Sequence, residues 1–222
     1  MPGAPDPEEV SVTPTSTELK LDDLTCFIAY ESDPIPISDL EDACSAAWQW
    51  PDALSSVAEH RAFARLSILG EGKSTLWLHV MFTHLVAAVA QAADSLGVFW
   101  EGTNIVHDAN EFQSQLDDLS ERSLAPQLWV DMRVEQATDS SGRFFTTGME
   151  KFQLLDIEIP DSKRSLEEIF EFGYSVVYYA LSEQSALTDG STIGRGSDEK
   201  FVISHQKSFR SDNKEVVSIR FE

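Results

Sequence analysis

The stretch from Leu128 to Pro160, LWVDMRVEQATDSSGRFFTTGMEKFQLLDIEIP, alternates apolar and polar residues as three consecutive strands would. A period of two sends residues i and i+2 to the same side of a strand, so one face of a sheet is implied. Leu128, Val130, Met132 and Val134 make one such face, and Leu155, Ile157 and Ile159 make the partner's. The stretch holds no nucleophile, base or metal constellation.

Around it the period lengthens to that of a helix. Leu40, Ala43, Cys44, Ala47 and Trp48 fall on one apolar face, and Pro51 ends that run. Leu76 to Ala93 is apolar almost throughout. It is interrupted by His79, Thr83, His84 and Gln91 and falls short of the roughly 20 residues a bilayer needs, so it reads as the central buried helix. Leu166, Ile169, Phe170, Val176, Val177, Ala180 and Leu181 make a third, wide stripe. Ser38 with Glu41, Asp108 with Glu111 and Ser165 with Glu168 have the spacing of capping pairs.

Strands are expected at 23–31, 61–69 and 97–106, and a C-terminal hairpin joined across 211–214. Strands and helices alternate at first, and later strands follow strands. The pattern predicts an α+β fold with a mixed, largely antiparallel sheet and helices packed on its faces. One domain over 20–222 is expected, after a disordered acidic, Pro-rich tail at 1–19.

Charge restricts the partners. Thirty-eight acidic side chains against 16 basic ones give a net charge of -22. A phosphate backbone is bound by neutralising it with Lys and Arg, so this excess argues against nucleic acid and anionic membrane. A basic protein is the natural complement. Two cysteines, Cys26 and Cys44, are too few for a disulfide framework and read as buried free thiols in a cytoplasmic protein. The N-terminal residues lack the basic and apolar regions of a secretory leader.

Gly70-Glu71-Gly72-Lys73-Ser74 lies between a predicted strand and helix, as a phosphate-cradling loop would. The first glycine of a P-loop would fall at Ser67, inside the strand, so a tight turn with a helix cap at Ser74 or Thr75 is the simpler reading. Asp131 could serve as the accompanying metal-orienting acid. His79 and His84 are five apart, about 140° round a helix, and do not converge on one ion. His107 beside Asp108 is a possible base but more simply ties down a loop, and His60 and His205 carry no signal. The common hydrolase, metalloprotease and redox motifs are absent.

The succession GVFWEGTNIVHDANEF, PQLWVDMRV, FFTTGMEKFQLLDIEIP, an amphipathic helix and LTDGSTIG resembles the bacterial family called domain of unknown function 4261, over about residues 75–195. Trp100, Leu128–Asp131, Thr146-Thr147-Gly148, Asp156–Pro160 and Asp189–Gly194 carry the likeness. The resemblance implies no activity. Physically, Gly148 suits a backbone bend, and Asp189-Gly190 a turn.

These features lead to the expectation of a non-enzymatic cytosolic binding protein, of the immunity or antitoxin kind, that occludes a basic effector. No cofactor or metal is expected. The carboxylates expected to meet the partner are Asp117, Asp118 and Glu121 on one helix and Glu167, Glu168 and Glu171 on another. The alternative is a nucleotide-binding enzyme or switch built on Gly72, Lys73, Ser74 and Asp131.

Overall fold

The computed structural model describes residues 9–196 and 199–221. Its contacts gather into two compact units, Met1–Glu121 and Arg122–Glu222, where periodicity predicts one unit over 20–222. Strands in mixed and antiparallel sheets with five α-helices make the α+β fold expected.

In the first unit, β1 (Glu9–Val12), β2 (Ser16–Leu21), β3 (Leu24–Glu31) and β4 (Phe63–Gly70) form an antiparallel sheet in that order. Residues 9–12 and 16–19 are therefore paired strand joined by a turn, not the tail that the composition predicts, and the Pro-rich residues 1–8 lie outside the described residues. Alternating Val10 and Val12, opposite Leu19 and Thr17, give this hairpin its β character.

Helix α1 (Ile37–Ala46) begins at Pro36 without a side-chain cap, because Ser38 donates to Asp39 instead of forming a box with Glu41. It buries Leu40, Ala43 and Cys44 but stops before Trp48, which stays 62% exposed. After α2 (Ala53–Val57) and β4 comes α3 (Thr75–Ala92), which packs against β4, β5 and α4. By length and composition α3 is apolar enough to cross a membrane. It buries Leu76, Val80, Thr83, Val86, Ala87 and Ala90, while Met81, Phe82, Leu85 and Val89 remain half-buried.

The expected strand at 97–106 is a hairpin: β5 (Gly97–Trp100) pairs with β6 (Ile105–Asp108) around a turn in which Asn104 takes φ 56°. Asp108 then caps α4 (Ala109–Ser114) by accepting from the N–H groups of Asn110 and Glu111. Trp100 meets Phe82 and Phe112 on one side of the hairpin. Val106 joins Leu40, Ala43, Cys44, Ala53 and Val57 in a core cluster with α1 and α2. Both cysteines are buried free thiols whose burial pushes their pKa up.

The second unit is a six-stranded sheet in the order β10 (Thr192–Ile193), β11 (Phe201–Lys207), β12 (Glu215–Ile219), β9 (Ile157–Ser162), β8 (Ser141–Thr147) and β7 (Asp131–Thr138). β12 and β9 run parallel and the other pairs antiparallel. The alternating stretch supplies β7, β8 and β9, although residues 126–128 form a 3-10 turn rather than the start of a strand. Helix α5 (Leu166–Glu183) packs on β7, β8 and β9 and opens with the expected capping box of Ser165 and Glu168. It buries seven residues against six on α3, so the most buried helix is α5. A Cβ on Gly173 would lie 2.7 Å from the Phe144 ring, so only glycine lets helix and strand approach here.

Two buried carboxylates fasten the C-terminal hairpin to β9. Asp156 Oδ1 accepts from Thr146 Oγ1 at 2.9 Å and Met149 N at 3.1 Å. Its Oδ2 has Lys214 Nζ at 2.5 Å, an ionic approach rather than a well-angled hydrogen bond. Gly148, at φ 113°, supplies the expected bend that brings Met149 N onto this carboxylate. Glu158 accepts from Ser208 Oγ at 2.5 Å and Phe209 N at 3.1 Å.

Burial pulls the Lys214 ammonium toward its neutral form, but the Asp156 carboxylate at 2.5 Å, helped by the charge of Glu150, outweighs that and holds its pKa above the ordinary lysine value of 10.5. A raised folded value means that the stabilisation is complete below the unfolded pKa and is lost as pH rises through the folded one. The stability difference between the wild-type chain and Lys214→Met, measured in urea, should be flat from about pH 7 to about pH 10 and shrink above that. Asp156→Ala strands the donors of Thr146 and Met149 and should cost about 3 kcal/mol.

Candidate functional site

The first unit contains a groove of about 970 Å³, at the upper end of the volumes of binding clefts. One wall is residues 61–66, which run into β4, and the other is residues 95–102, which include β5. Phe82, Val86, Val89 and Ala90 of α3 give it an apolar floor.

Each of these strands has an edge that no other described strand pairs with. Among the described residues β4 ends its sheet, and β5 pairs with β6 alone. None of the eight residues of β4 is buried, although five of them, Phe63, Ala64, Leu66, Ile68 and Leu69, are apolar. Arg65 of β4 reaches across to Glu101 at 3.3 Å, and both are largely exposed.

His60, in the lining, is not free to act as a base. Its Nε2 accepts from Ile35 N at 2.8 Å, so the ring proton sits on Nδ1, which donates to Val57 O at 2.5 Å. Three other histidines are likewise tied to backbone carbonyls: His79 to Thr75, His84 to Leu119 and His205 to Leu187. His107 packs against the Phe112 ring. Among the described residues no three of His, Cys, Asp and Glu gather to hold a metal ion.

The Gly70–Ser74 segment is a turn with a helix cap. Gly72 takes φ 69°, and Ser74 Oγ accepts from Trp77 N at 3.1 Å while donating to Glu121. Lys73 sits 3.2 Å from Asp23 and over the Trp77 ring. Asp131, in the second unit, is held by Arg133 Nε at 2.8 Å.

The six expected partner-binding carboxylates fall into different settings. Asp117 and Asp118 lie exposed in the turn after α4 rather than on a helix, with Glu121 beyond them. Glu167 and Glu171 are exposed one turn apart on α5. Glu168 is committed to its own helix: hydrogen bonds from the backbone and side chain of Ser165, with the charge of Arg164, hold its carboxyl below the usual range. Sequence reasoning missed the groove, whose only local signal is a strand at 63–70 that is apolar on both faces yet carries Arg65 and follows Arg61.

Residues 145–220 match the family model described as Domain of unknown function (DUF4261). The chain resembles that family within its second unit; the likeness was expected over 75–195, and the model covers the later part of that span and runs on to 220. No curated protein and no solved structure matches. Inside the matched segment, Thr146–Gly148 and Asp156 form the buried latch described above. Asp189 Oδ1 accepts from His205 N at 2.8 Å, so Asp189-Gly190 ties its turn to β11.

A helix cap contributes about 1 kcal/mol, whereas an exposed substitution changes stability by about 0.5 kcal/mol or less. Ser74→Ala should therefore lower stability by about 1 kcal/mol in chemical denaturation, and Lys73→Ala by no more than about 0.5 kcal/mol.

Proposed function

We propose that the chain is a non-enzymatic binding protein of the immunity or antitoxin kind, which captures a basic partner protein and covers its active surface. The observation that carries this reading is a surplus of exposed, unneutralised carboxylate. The net charge is -22, and among the described residues no ion pair engages Asp117, Asp118, Glu167 or Glu171.

A field of one sign raises the rate at which an oppositely charged protein arrives, and speed of arrival matters to a neutraliser. An effector that handles phosphate has a positive cleft, which such a surface complements. The second support is the groove of the first unit, where an apolar floor lies beneath an acidic rim that includes Asp39, Glu59 and Asp94.

The test takes the basic protein captured by the full chain and measures stopped-flow association. The Debye length falls from about 30 Å at 0.01 M salt to about 8 Å at 0.15 M, so the association rate should fall steeply across that range. Paired reversal of Glu167 and Glu171 to Lys, or of Asp117 and Asp118 to Lys, should slow it further for whichever cluster faces the partner. A salt-independent rate, unchanged by both pairs, would assign the acidity to solubility alone. Co-expression of the chain with the captured protein should also relieve any growth inhibition the latter causes.

A further inference from the structure

The two walls of the groove turn their backbone edges toward it. Side chains alternate along a strand, so a strand lining a space with its face contributes every second residue. Here consecutive residues line it, 61–66 on one side and 95–102 on the other. That pattern belongs to edges, and among the described residues both edges carry N–H and C=O groups with no strand beside them.

We propose that an extended, basic segment of a partner protein inserts between β4 and β5, hydrogen-bonds to both edges, and joins β1–β4 to β5–β6 in one sheet. Strand addition of this kind takes its affinity from the main chain and its selectivity from alternate side chains. Six residues span roughly 20 Å, which matches the length of the β4 wall. Side chains turned toward α3 would meet Phe82, Val86 and Val89. Those turned the other way would meet the rim. There Arg65 is already paired with Glu101, so the remaining charged residues of the lining are Asp39, Glu59 and Asp94 against Arg61 alone.

That imbalance selects a Lys- or Arg-bearing strand. A second copy of this chain is opposed by its charge of -22, and residues 1–8 lack an N–H at Pro2, Pro5 and Pro7. The Arg65–Glu101 pair must part to admit the strand, and an exposed pair of this kind contributes little to stability. The proposal rests on the proposed function only for the sign of the occupant's charge.

A displayed library of random ten-residue peptides, selected against the full chain at low salt, supplies the probe. Enriched peptides should alternate apolar residues with Lys or Arg, and their binding should slow amide exchange in both β4 and β5 by at least tenfold. N-methylation of the odd positions alone, and of the even positions alone, should each weaken binding at least tenfold, since each set serves one edge. Ala93→Trp, in the exposed lining of the groove, should weaken it as much, whereas Ala88→Trp on α3 outside the lining should not. Basic peptides that bind without protecting β4 and β5 would overturn the inserted strand and leave charge-guided capture standing. Peptides that protect both strands but carry no excess of Lys or Arg would overturn the basic occupant and count against the proposed function too. Recovery of no binding peptide would also overturn the proposal.

Discussion

An unpaired strand edge is a row of hydrogen bonds waiting for a partner, and the first unit presents two of them to one groove. Proteins ordinarily blunt such edges with prolines, bulges, short strands or a covering helix. β4 has none of these along its eight residues: it pairs with β3 in unbroken register from Phe63 to Gly70. Five of its eight residues are apolar and none is buried, so the strand carries apolar surface that its surroundings leave partly uncovered. The floor follows from the same geometry. α3 packs against both β4 and β5, and its half-buried Phe82 and Val89 lie where a sheet continuous across the groove would cover them.

The second unit manages its polar groups in the opposite way. Asp156 and Glu158 are almost wholly buried, a costly position for a carboxylate unless its oxygens are met. They are met by Thr146, Met149 and Lys214 and by Ser208 and Phe209, so the hairpin of β11 and β12 is fastened to β9 at the ends of the strands. Arginines complete the arrangement from outside. Arg210 lies over the Phe145 ring at 4.0 Å, and Arg164 and Arg195 both lie over Phe221. In this unit side-chain chemistry is spent on holding the fold, and the segment that matches the family model contains nearly all of it.

What was legible in the sequence was local. The capping box at Ser165 and Glu168 needs only residues three apart, and it formed; the bend at Gly148 needs only a residue free of a Cβ. Ser38 and Glu41 have the same spacing as the first pair, yet the helix starts after Pro36 and Ser38 turns to Asp39, so spacing without the right starting point fails. The turn after Trp100 was hidden because Glu101–Asn104 interrupts an apolar run too briefly to break its pattern, and Asn104 tolerates a left-handed backbone. The strands at 9–21 were masked by nearby prolines. The groove could not be read at all. It depends on β4 and β5 failing to pair, and no local pattern records a contact that is not made.

Charge and edge belong to one argument. A long apolar edge strand invites pairing between identical chains, and two copies meeting edge to edge would each bring a net charge of -22. Such repulsion falls on every copy of this chain and on no basic partner, so the carboxylates that would oppose the pairing of identical edges would also draw the proposed basic strand toward them. Discrimination of this kind does not require a charged residue in contact with the edge. A field summed over the whole surface acts before contact, and the ladder of hydrogen bonds forms afterwards. On the proposed reading, acidity spread across both units and an edge left open in one of them would be parts of a single solution: selection by charge at long range and binding by the main chain at short range.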